Sequence, residues 1–413
     1  MESADYLVIG GGIAGTTAAE TLRSLDADAK IAILDRERYP LYSKVLIPAY
    51  LKGKIAREKV FLRNVAQYQS QNIDLYTETI VAMVDTVKKE VLTKNNKQFA
   101  YKKLLVASGG TPRKLSEVFS STTPIEPLMM RNVEDMDVIY AAINGAEALG
   151  HSLTGEAKKV LIVGESFIAL EFLEIFSLRG FEVHMLARGK YWGGEARFGA
   201  EGSRIMEENF RLHDAVIHRN AEISLIKNDE FYLKNGEHIK APLWALGIGL
   251  TRDFSFLPDI EKNAGLFCDE YLRTSDPDIF AAGDAAEYYD IFLKRRITVG
   301  NWTSAFLQGR CAAMNMLSAD GKAQIFKAIP AYTLVNLGIN LTFLGMADRE
   351  TADDTFELSD NNRLMRVFLE NGKAIGAVLI NRFNDKLTLS KLIENGHGKE
   401  ELEKIFKPAL AGQ

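Results

Sequence analysis

The sequence predicts an α/β fold with two doubly wound, three-layer units and a smaller α+β domain at the C-terminus. Three observations predict this class. A strand–turn–helix–strand pattern opens the chain, the same pattern starts again near Lys158, and a hairpin signature followed by helical stretches marks the C-terminal part. Because parallel strands need a crossover connection, usually a helix, the first two patterns predict parallel sheets covered by helices.

The first pattern opens with an apolar run at residues 6–9 that ends at glycines. The run is too short for a helix and therefore predicts a buried strand. Gly10, Gly12 and Gly15 follow in the G-x-G-x-x-G register. In this register the first glycine makes a tight turn, the second lets the backbone approach a pyrophosphate, and the third lets the helix pack closely on the strand. The turn is therefore predicted to bind a dinucleotide.

A helix with a small apolar inner face is predicted from Ile13 through Ala14 onward. Its first N–H groups and the positive end of its dipole would face the phosphates. The second strand, at 31–34, ends at Asp35, about twenty residues past the last glycine, where a carboxylate binds a ribose hydroxyl. Strand, glycines, helix, second strand and acid occur in order, and this context supports the motif. Residues 5–35 are therefore predicted to form a Rossmann-like unit.

The second pattern repeats this arrangement from residue 158 onward. A strand is predicted at 160–163, a turn at 164–169, a helix as far as Leu178 and a further strand at 181–186. Leu243–Leu246 is predicted to close this sheet, with Gly247 in the turn that follows. The internal repeat therefore predicts two separate nucleotide sites in one chain.

Shorter elements complete the prediction. Residues 80–107 are predicted to form a small antiparallel sheet that ends in a buried strand, residues 278–284 a short strand, and residues 303–317 a helix. In the C-terminal part, Asn371-Gly372 stands between two apolar stretches and is a strong hairpin signal. Helices are predicted around 387–394 and 400–406. These last elements predict a separate α+β domain.

Composition limits the function classes. The 413 residues are enough for two or three domains. The net charge of −5 provides no electrostatic footprint for nucleic acid, and no apolar run approaches the length of about eighteen residues that a membrane-spanning helix needs. The two cysteines are far apart and the six histidines lack ligand spacing, so neither a disulfide framework nor a metal site is predicted. Since the N-terminus lacks the basic region of a signal peptide, a cytoplasmic protein is predicted.

Five segments together resemble the FAD-dependent pyridine nucleotide-disulphide oxidoreductase superfamily. They are VIGGGIAG at 8–15, LLVASGGTPR at 104–113, VGESFIALE at 163–171, ALGIG at 245–249 and IFAAGDAAE at 279–287. The similar branch holds the ferredoxin and rubredoxin reductases and the flavin module of nitrite reductases, and the resemblance covers essentially the whole chain. It implies an FAD-binding domain at 1–115 and 251–325, an NAD(P)-binding domain at 116–250, and a C-terminal α+β interface domain at 326–413.

The resemblance also assigns cofactor-binding residues. FAD would lie along the first unit, with its ribityl chain on an aspartate late in the domain and its ring beside a tryptophan. The residues implied for FAD are Gly10, Gly12, Ile13, Ala14, Gly15, Asp35, Arg36, Lys44, Ala107, Ser108, Gly109, Gly283, Asp284 and Trp302. NAD(P)H would occupy the second unit, and the residues implied for it are Gly164, Ser166, Phe167, Ile168, Glu171, Arg188 and Gly247.

The second unit departs from the usual glycine pattern. Ser166 and Ala169 replace the second and third glycines. Alanine is tolerable at the third position, which mainly serves packing, whereas serine at the second narrows the approach to the pyrophosphate. Arg188 stands after the second strand, where an acid normally binds the ribose 2′-hydroxyl of NAD. An arginine there accommodates a 2′-phosphate, which favours NADPH; the alternative is a solvated basic turn.

The sequence predicts a reaction that does not use a catalytic cysteine thiol. Relatives that reduce disulfides carry cysteines in the segment that corresponds to residues 41–53, and this segment contains none. Ferredoxin reductases usually place a lysine beside the flavin where Pro48 stands here. Lys44 instead matches an arginine of the nitrite reductase module and is predicted to stabilise the reduced flavin, with a solvent-exposed lysine as the alternative. Glu171 matches the glutamate that the family places one turn into the second helix. Lys44 and Glu171 are therefore the predicted catalytic residues.

The resulting prediction is an FAD-dependent NAD(P)H oxidoreductase that passes electrons to an acceptor such as ferredoxin, rubredoxin or a quinone. One alternative is an NAD(P)H oxidase or quinone reductase that uses O2 or small molecules directly. Another is a flavin-binding regulatory protein with a decayed nicotinamide site, which the replacements at Ser166 and Ala169 motivate. Relatives often build a dimer interface from the C-terminal domain, which predicts a homodimer.

Overall fold

The computed structural model describes residues 1–114, 126–148, 158–318, 322–347 and 351–407. The chain divides into two compact units. Unit 1 consists of residues 1–46, 56–111 and 251–328, and unit 2 consists of residues 47–55, 112–250 and 329 onward. The predicted boundary at residues 115–116 lies outside the described residues, and the three-domain division stays a prediction.

The described helices and strands follow the chain in order. The helices are α1 (Ile13–Leu25), α2 (Ile47–Leu51), α3 (Val65–Ser70), α4 (Val133–Ala148), α5 (Phe167–Leu178), α6 (Gly199–Leu212), α7 (Trp302–Leu317), α8 (Lys386–Glu394) and α9 (Lys399–Phe406). The strands are β1 (Glu2–Ile9), β2 (Ile31–Leu34), β3 (Ile73–Tyr76), β4 (Val81–Asp85), β5 (Glu90–Thr93), β6 (Gln98–Val106), β7 (Thr111–Pro112), β8 (Lys159–Val163), β9 (Glu182–Leu186), β10 (Ala215–His218), β11 (Ile223–Lys227), β12 (Glu230–Leu233), β13 (His238–Lys240), β14 (Leu243–Leu246), β15 (Leu250–Thr251), β16 (Leu266–Cys268), β17 (Ile279–Ala281), β18 (Ala286–Asp290), β19 (Arg295–Thr298), β20 (Ala331–Asn336), β21 (Ile339–Gly345), β22 (Asp354–Asp360), β23 (Arg363–Glu370) and β24 (Lys373–Ile380).

Unit 1 is organised around a parallel sheet in the order β3-β2-β1-β6, with β17 also parallel to β6. The strands β5 and β4 extend it in antiparallel fashion along β6, as predicted for residues 80–107. Helices α1 and α7 pack directly on each other, because Gly309 of α7 faces the backbone of α1: a Cβ at Gly309 would lie 2.2 Å from the Ala14 oxygen. The apolar run at residues 6–9 thus forms the central strand of a doubly wound sheet.

Unit 2 contains a second parallel sheet, in the order β10-β9-β8-β14. Helix α5 is largely buried. Apolar side chains of this sheet and of the antiparallel sheet β11-β12-β13 form one core cluster, with Leu161, Phe231 and Trp244 among its members. The repeat that the sequence predicts is therefore present as a second parallel unit, and the predicted α/β class is confirmed.

The C-terminal part of unit 2 is an antiparallel sheet in the order β20-β21-β24-β23-β22. Its central hairpin turns at Asn371 and Gly372, whose φ angles of 50° and 72° suit the left-handed backbone of a tight hairpin turn. Leu389, Leu392 and Leu402 of helices α8 and α9 join the core on this sheet. The predicted α+β character of this part is confirmed.

Within each of the two parallel sheets, strand register places equivalent residues at the carboxyl ends of the strands. Ile9 lies opposite Leu34 in unit 1, and Val163 lies opposite Leu186 in unit 2. The residues just past these strands are therefore equivalent: Gly10 corresponds to Gly164, and Asp35 to Ala187. No described helix is both long enough and apolar enough to cross a membrane.

Candidate dinucleotide-binding sites

The turn after β1 contains glycines of two kinds. Gly10 has φ 107°, and a Cβ there would lie 2.3 Å from the Ala107 oxygen. A Cβ at Gly15 would lie 1.9 Å from the Gly10 oxygen. Around Gly12, in contrast, no heavy atom lies within 4 Å of the Cβ position. Packing of the protein thus requires Gly10 and Gly15, whereas the space beside Gly12 is open, as a bound pyrophosphate would need.

Helix α1 begins directly at this open space. Its N-cap residue is Gly12, which has no side chain to accept a hydrogen bond from the first turn. The first N–H groups of a helix have no acceptor within the helix, and they carry its positive dipole end. The N-terminus of α1, from Ile13 and Ala14 to Gly15, therefore fits the pyrophosphate of a dinucleotide.

Asp35 lies beside the same turn and is only 8% exposed. Its Oδ1 accepts a hydrogen bond from the backbone N–H of Glu37 at 3.1 Å. Burial, with the charge of Glu37, raises the pKa of the Asp35 carboxyl to about 6. A Cβ at Gly11 would lie 2.4 Å from Asp35 Oδ2, so the glycine between the motif glycines makes room for the acid. This role of Gly11 is not among the predictions from the sequence, although three consecutive glycines are a signal for it.

The segment with Gly283 and Asp284, which is predicted to contact FAD, approaches the start of α7. Gly283, at φ 72°, donates its N–H to Oε1 of the buried Gln308 at 2.7 Å. A Cβ at Gly300 would lie 3.6 Å from Asp284 Oδ1, so Asp284 lies close to the residues that lead into α7. Trp302 is the first residue of that helix and is half-buried. The structure thus brings Asp284 near the helix that carries Trp302. Gln308, which accepts the hydrogen bond from Gly283, is not among the residues predicted from the sequence.

Lys44 lies in a polar cluster of unit 1. Its Nζ is 2.8 Å from Glu37 Oε1 and 2.9 Å from the Tyr42 hydroxyl, and Tyr42 also donates to Glu37. Because Lys44 and Glu37 form an ion pair, the carboxylate partly cancels the electric field that the lysine could apply to another group. Its predicted catalytic role stays a prediction.

Other residues predicted for FAD lie near the ends of the central strands. Arg36, which is exposed, donates from both terminal nitrogens to Thr111 Oγ1 at 3.3 Å. Ala107 donates its N–H to the Ile9 oxygen at 2.8 Å, and Ser108 and Gly109 follow it at the same edge of the sheet. Their proximity to the β1 turn agrees with the predicted set, and individual cofactor contacts stay predictions.

The turn after β8 repeats the backbone construction of the β1 turn. Gly164 has φ 122°, and a Cβ there would lie 2.4 Å from the Gly247 oxygen, just as Gly10 faces Ala107. A Cβ at Gly247 would lie 2.7 Å from the Ala169 nitrogen. The difference is Ser166, whose Oγ accepts a hydrogen bond from Ala169 N–H at 3.3 Å. A pyrophosphate at this helix would compete with the serine hydroxyl for that N–H group.

The next residues of α5 face different surroundings. The ring of Phe167 packs on those of Tyr332 and Phe343, with centroid distances of 4.0 and 4.8 Å. Its side chain therefore contributes to packing and is half-buried, as is the side chain of Ile168. Arg188, two residues past the end of β9, is exposed.

Glu171 belongs to a buried ion-pair cluster. Lys52 Nζ lies 2.5 Å from Glu171 Oε2 and 2.5 Å from Glu174 Oε2, and the three side chains are 6%, 14% and 7% exposed. The more exposed Lys54 reaches Glu174 Oε1 at 3.2 Å. Burial raises the pKa of the Glu171 carboxyl although Lys52 opposes the shift. Glu171 thus carries a buried charge that depends on its lysine partner.

The buried lysine of this cluster is Lys52, four residues after the position at which ferredoxin reductases usually have a lysine. Lys52 donates its N–H to the Pro48 oxygen at 2.9 Å, so the two residues are one helical turn apart on the same face. Family resemblance draws attention to Pro48 and misses Lys52. The spacing of four residues is the signal that could have identified it.

The described residues contain no thiol suited to catalysis. Cys268 and Cys311 are free and buried. Burial raises the pKa of both thiols, that of Cys311 to about 11, and the raised pKa keeps them protonated. Among the same residues no group of three His, Cys, Asp or Glu side chains is placed to hold a metal ion.

Comparison with known proteins identifies the family of the chain. Residues 4–309 match the family model described as pyridine nucleotide-disulphide oxidoreductase. The ferredoxin reductase subunit of 5,5'-dehydrodivanillate O-demethylase from Sphingobium sp. is 26% identical over 411 residues, which cover 96% of this chain and 94% of the relative. Rubredoxin-NAD(+) reductase from Pseudomonas putida is 24% identical, and the match covers 80% of this chain and 86% of the relative.

Longer proteins and solved structures also match. The chain is 23% identical to nitrite reductase [NAD(P)H] from Bacillus subtilis and spans 49% of that relative's length. The reductase in a covalent putidaredoxin reductase–putidaredoxin complex has the same fold, with a TM-score of 0.83, 20% identity and full coverage of both chains.

These matches confirm the predicted branch, the oxidoreductase class, and FAD and NAD(P)H as the cofactors. The two glycine turns and the helices that begin at them are the predicted binding sites of these cofactors. The chain belongs to the pyridine nucleotide-disulphide oxidoreductase family.

Proposed function

We propose that this chain takes electrons from NAD(P)H through FAD and delivers them to a small redox protein, without a redox-active disulfide. The observation that carries the proposal is the pair of turns with the same backbone construction, at Gly10 and Gly164, each at the start of a helix. The first turn is open for a pyrophosphate, and an acid stands beside it. Ferredoxin and rubredoxin reductases among the relatives support the choice of acceptor.

The chain's own residues orient the cofactors. FAD, when bound, accepts a hydride from the nicotinamide and passes electrons on singly or in pairs. The N-terminus of α1 would hold its pyrophosphate and Asp35 its ribose, while Asp284 would bind the ribityl chain. In unit 2, the buried pair of Glu171 and Lys52 would position groups near the nicotinamide by a preorganised field, which costs no rearrangement during the reaction. Neither Cys268 nor Cys311 provides a thiolate, which supports electron transfer without a disulfide.

Two further proposals concern the surroundings of the protein. The widely spaced, buried cysteines favour a reducing compartment, and we place the protein in the cytoplasm. A homodimer built on the C-terminal sheet is the proposed assembly, which sedimentation of the flavin-loaded protein would test.

Anaerobic mixing of the flavin-loaded protein with NADH and then with NADPH tests the proposed function. We expect at least one of them to bleach the flavin absorbance rapidly, because the second turn has the construction of a dinucleotide site. Dithionite serves as the control that the flavin itself is reducible. If dithionite bleaches the flavin and neither nicotinamide does, the protein is a flavin-binding regulator with a decayed site.

The acceptor is tested by turnover of the reduced protein. We expect reduction of a ferredoxin or rubredoxin to be much faster than consumption of O2 or reduction of a quinone. Fast turnover with O2 or quinone alone would identify the protein as an oxidase or quinone reductase instead.

Coenzyme preference is expected to depend on Arg188. We propose that its guanidinium binds the 2′-phosphate of NADPH, so Arg188→Ala should weaken NADPH binding by about tenfold or more while NADH binding changes little, since a hydrogen bond to a charged group contributes about 1.5–3 kcal/mol. Titration with each reduced coenzyme measures both affinities. Lys190→Ala, two residues along the same exposed loop, is the matched control and should change neither. An equal loss of both coenzymes in the Arg188 variant would contradict the assignment.

A further inference from the structure

Glu165 occupies the turn position of unit 2 that Gly11 occupies in unit 1. In unit 1 the strand end provides an acid, Asp35, and glycine at position 11 leaves room for it, because a Cβ there would lie 2.4 Å from its carboxylate. In unit 2 the residue equivalent to Asp35 is Ala187, and the turn provides the acid instead. The small residue and the acid have therefore exchanged places between two equivalent positions.

The carboxylate of Glu165 bonds much as that of Asp35 does. It accepts a hydrogen bond from Gly193 N–H at 3.0 Å and another from the backbone of Arg188. Asp35 similarly accepts the backbone N–H of a residue in the loop that follows its own strand. Glu165 is half-buried, and its burial raises the pKa of the carboxyl against the opposing charges of Arg188 and Arg197. The side chain thus reaches from the phosphate turn into the loop at the end of β9.

The Glu165 carboxylate can accept further hydrogen bonds. An ionised carboxylate offers about four acceptor sites, and the two backbone N–H groups leave some of them for another donor. A ribose 2′-hydroxyl is such a donor, whereas a 2′-phosphate brings negative charge beside the carboxylate. Like charges placed together in a binding site are strongly unfavourable.

We propose that Glu165 is a specificity-determining residue that selects the free 2′-hydroxyl of NADH and opposes the 2′-phosphate that Arg188 attracts. The loop after β9 then carries two opposed determinants, and the wild-type protein binds both coenzymes with only a modest preference. This inference rests on the proposed nicotinamide site but concerns only its adenosine end.

The test measures binding of ADP-ribose and of its 2′-phosphate to the flavin-loaded protein by calorimetry, so it requires no electron transfer. Glu165→Gln keeps an acceptor for the two backbone N–H groups and removes the charge. We expect the ratio of affinities to shift toward the 2′-phosphate by about tenfold, the effect of about 1.4 kcal/mol. Glu165→Asp retains the charge and is expected to keep the ratio closer to that of the wild type.

Controls separate this role from a structural one. Glu222 is another acid that interacts electrostatically with Arg188. Glu222→Gln should leave the ratio of the two affinities unchanged. If Glu165 only holds the loop, Glu165→Gln changes both affinities equally and the proposal is wrong. If neither compound binds the wild-type protein, the proposed nicotinamide site itself fails, and the flavin-bleaching experiment reports that failure independently.

Discussion

Lys52→Met is expected to lower the free energy of unfolding of the protein by about 3 kcal/mol at neutral pH, because it leaves Glu171 and Glu174 buried without their shared cation. Methionine keeps most of the side-chain volume, so the loss reports the charge rather than a cavity. Chemical denaturation followed by circular dichroism measures the change. The effect is large because both carboxylates are at least 86% buried, and removal of one partner from a buried pair leaves an uncompensated charge.

Lys54→Met is the matched control for this variant. Lys54 also pairs with Glu174, but its side chain is 57% exposed. Exposed pairs contribute about 0–1 kcal/mol, so this substitution should change the free energy of unfolding only slightly. Equal losses in the two variants would contradict the assignment of Lys52 as the buried partner.

The difference between Lys52→Met and the wild type should also depend on pH. The folded-state pKa of Glu171 is already raised by burial, and loss of Lys52 removes a group that opposes the shift. An acid with a raised folded-state pKa binds protons more strongly in the folded protein, so the folded variant loses stability as pH rises through that pKa. Denaturation over a range of pH should therefore show the deficit growing as pH rises from the ordinary pKa of a glutamate to the raised folded-state pKa, levelling off above it and shrinking in acid below it.

Gly12→Ala is expected to weaken FAD binding, whereas Gly15→Ala is expected to lower the stability of the protein. The Cβ of Gly12→Ala enters space where no protein atom lies within 4 Å, and the backbone at φ −68° suits alanine. We expect this variant to fold normally but to bind FAD about 100-fold more weakly, the equivalent of about 2.7 kcal/mol, because the methyl group blocks the approach of the pyrophosphate. The flavin content after purification and a titration of the apoprotein with FAD measure the loss.

Gly15→Ala should instead destabilise the protein without any ligand. Its Cβ would lie 1.9 Å from the Gly10 oxygen, so helix α1 must move away from the turn. Forcing extra atoms into a packed site costs about 1–3 kcal/mol or more. Thermal unfolding of the flavin-free proteins distinguishes the two variants. A flavin-free Gly12→Ala protein as unstable as Gly15→Ala would show that Gly12 serves packing rather than the cofactor.

Local patterns were readable from the chain because they depend on neighbouring residues. The G-x-G-x-x-G register specified the first turn, and the Asn371-Gly372 pair specified the hairpin, since each sets backbone angles within a few residues. The repeat of strand, turn and helix near residue 160 specified the second parallel unit for the same reason. These features, with the family resemblance, were sufficient for the fold class and for the cofactors.

Contacts between distant residues were not readable in this way. Gln308 binds the Gly283 N–H, Gly309 admits the backbone of Ala14, and Lys52 neutralises Glu171, and each pair is separated by 25 residues or more. A local spacing can point to a candidate such as Lys52, but the pairing of two distant residues depends on how helices and sheets pack. Glu165 is the clearest case: in the sequence it looks like an odd residue in a glycine turn, and only the structure shows which backbone N–H groups it accepts.

The sequence by itself determined the α/β class and the two glycine turns, because backbone conformation in turns and strands follows from short-range sterics and periodicity. The oxidoreductase family came instead from the resemblance of five segments to known members of that family. The tertiary structure alone decided which acid neutralises which lysine, which glycine serves packing rather than ligand, and where the acid of the second unit comes from. The physical reason is that burial and charge pairing depend on atoms that the fold brings together from distant parts of the chain.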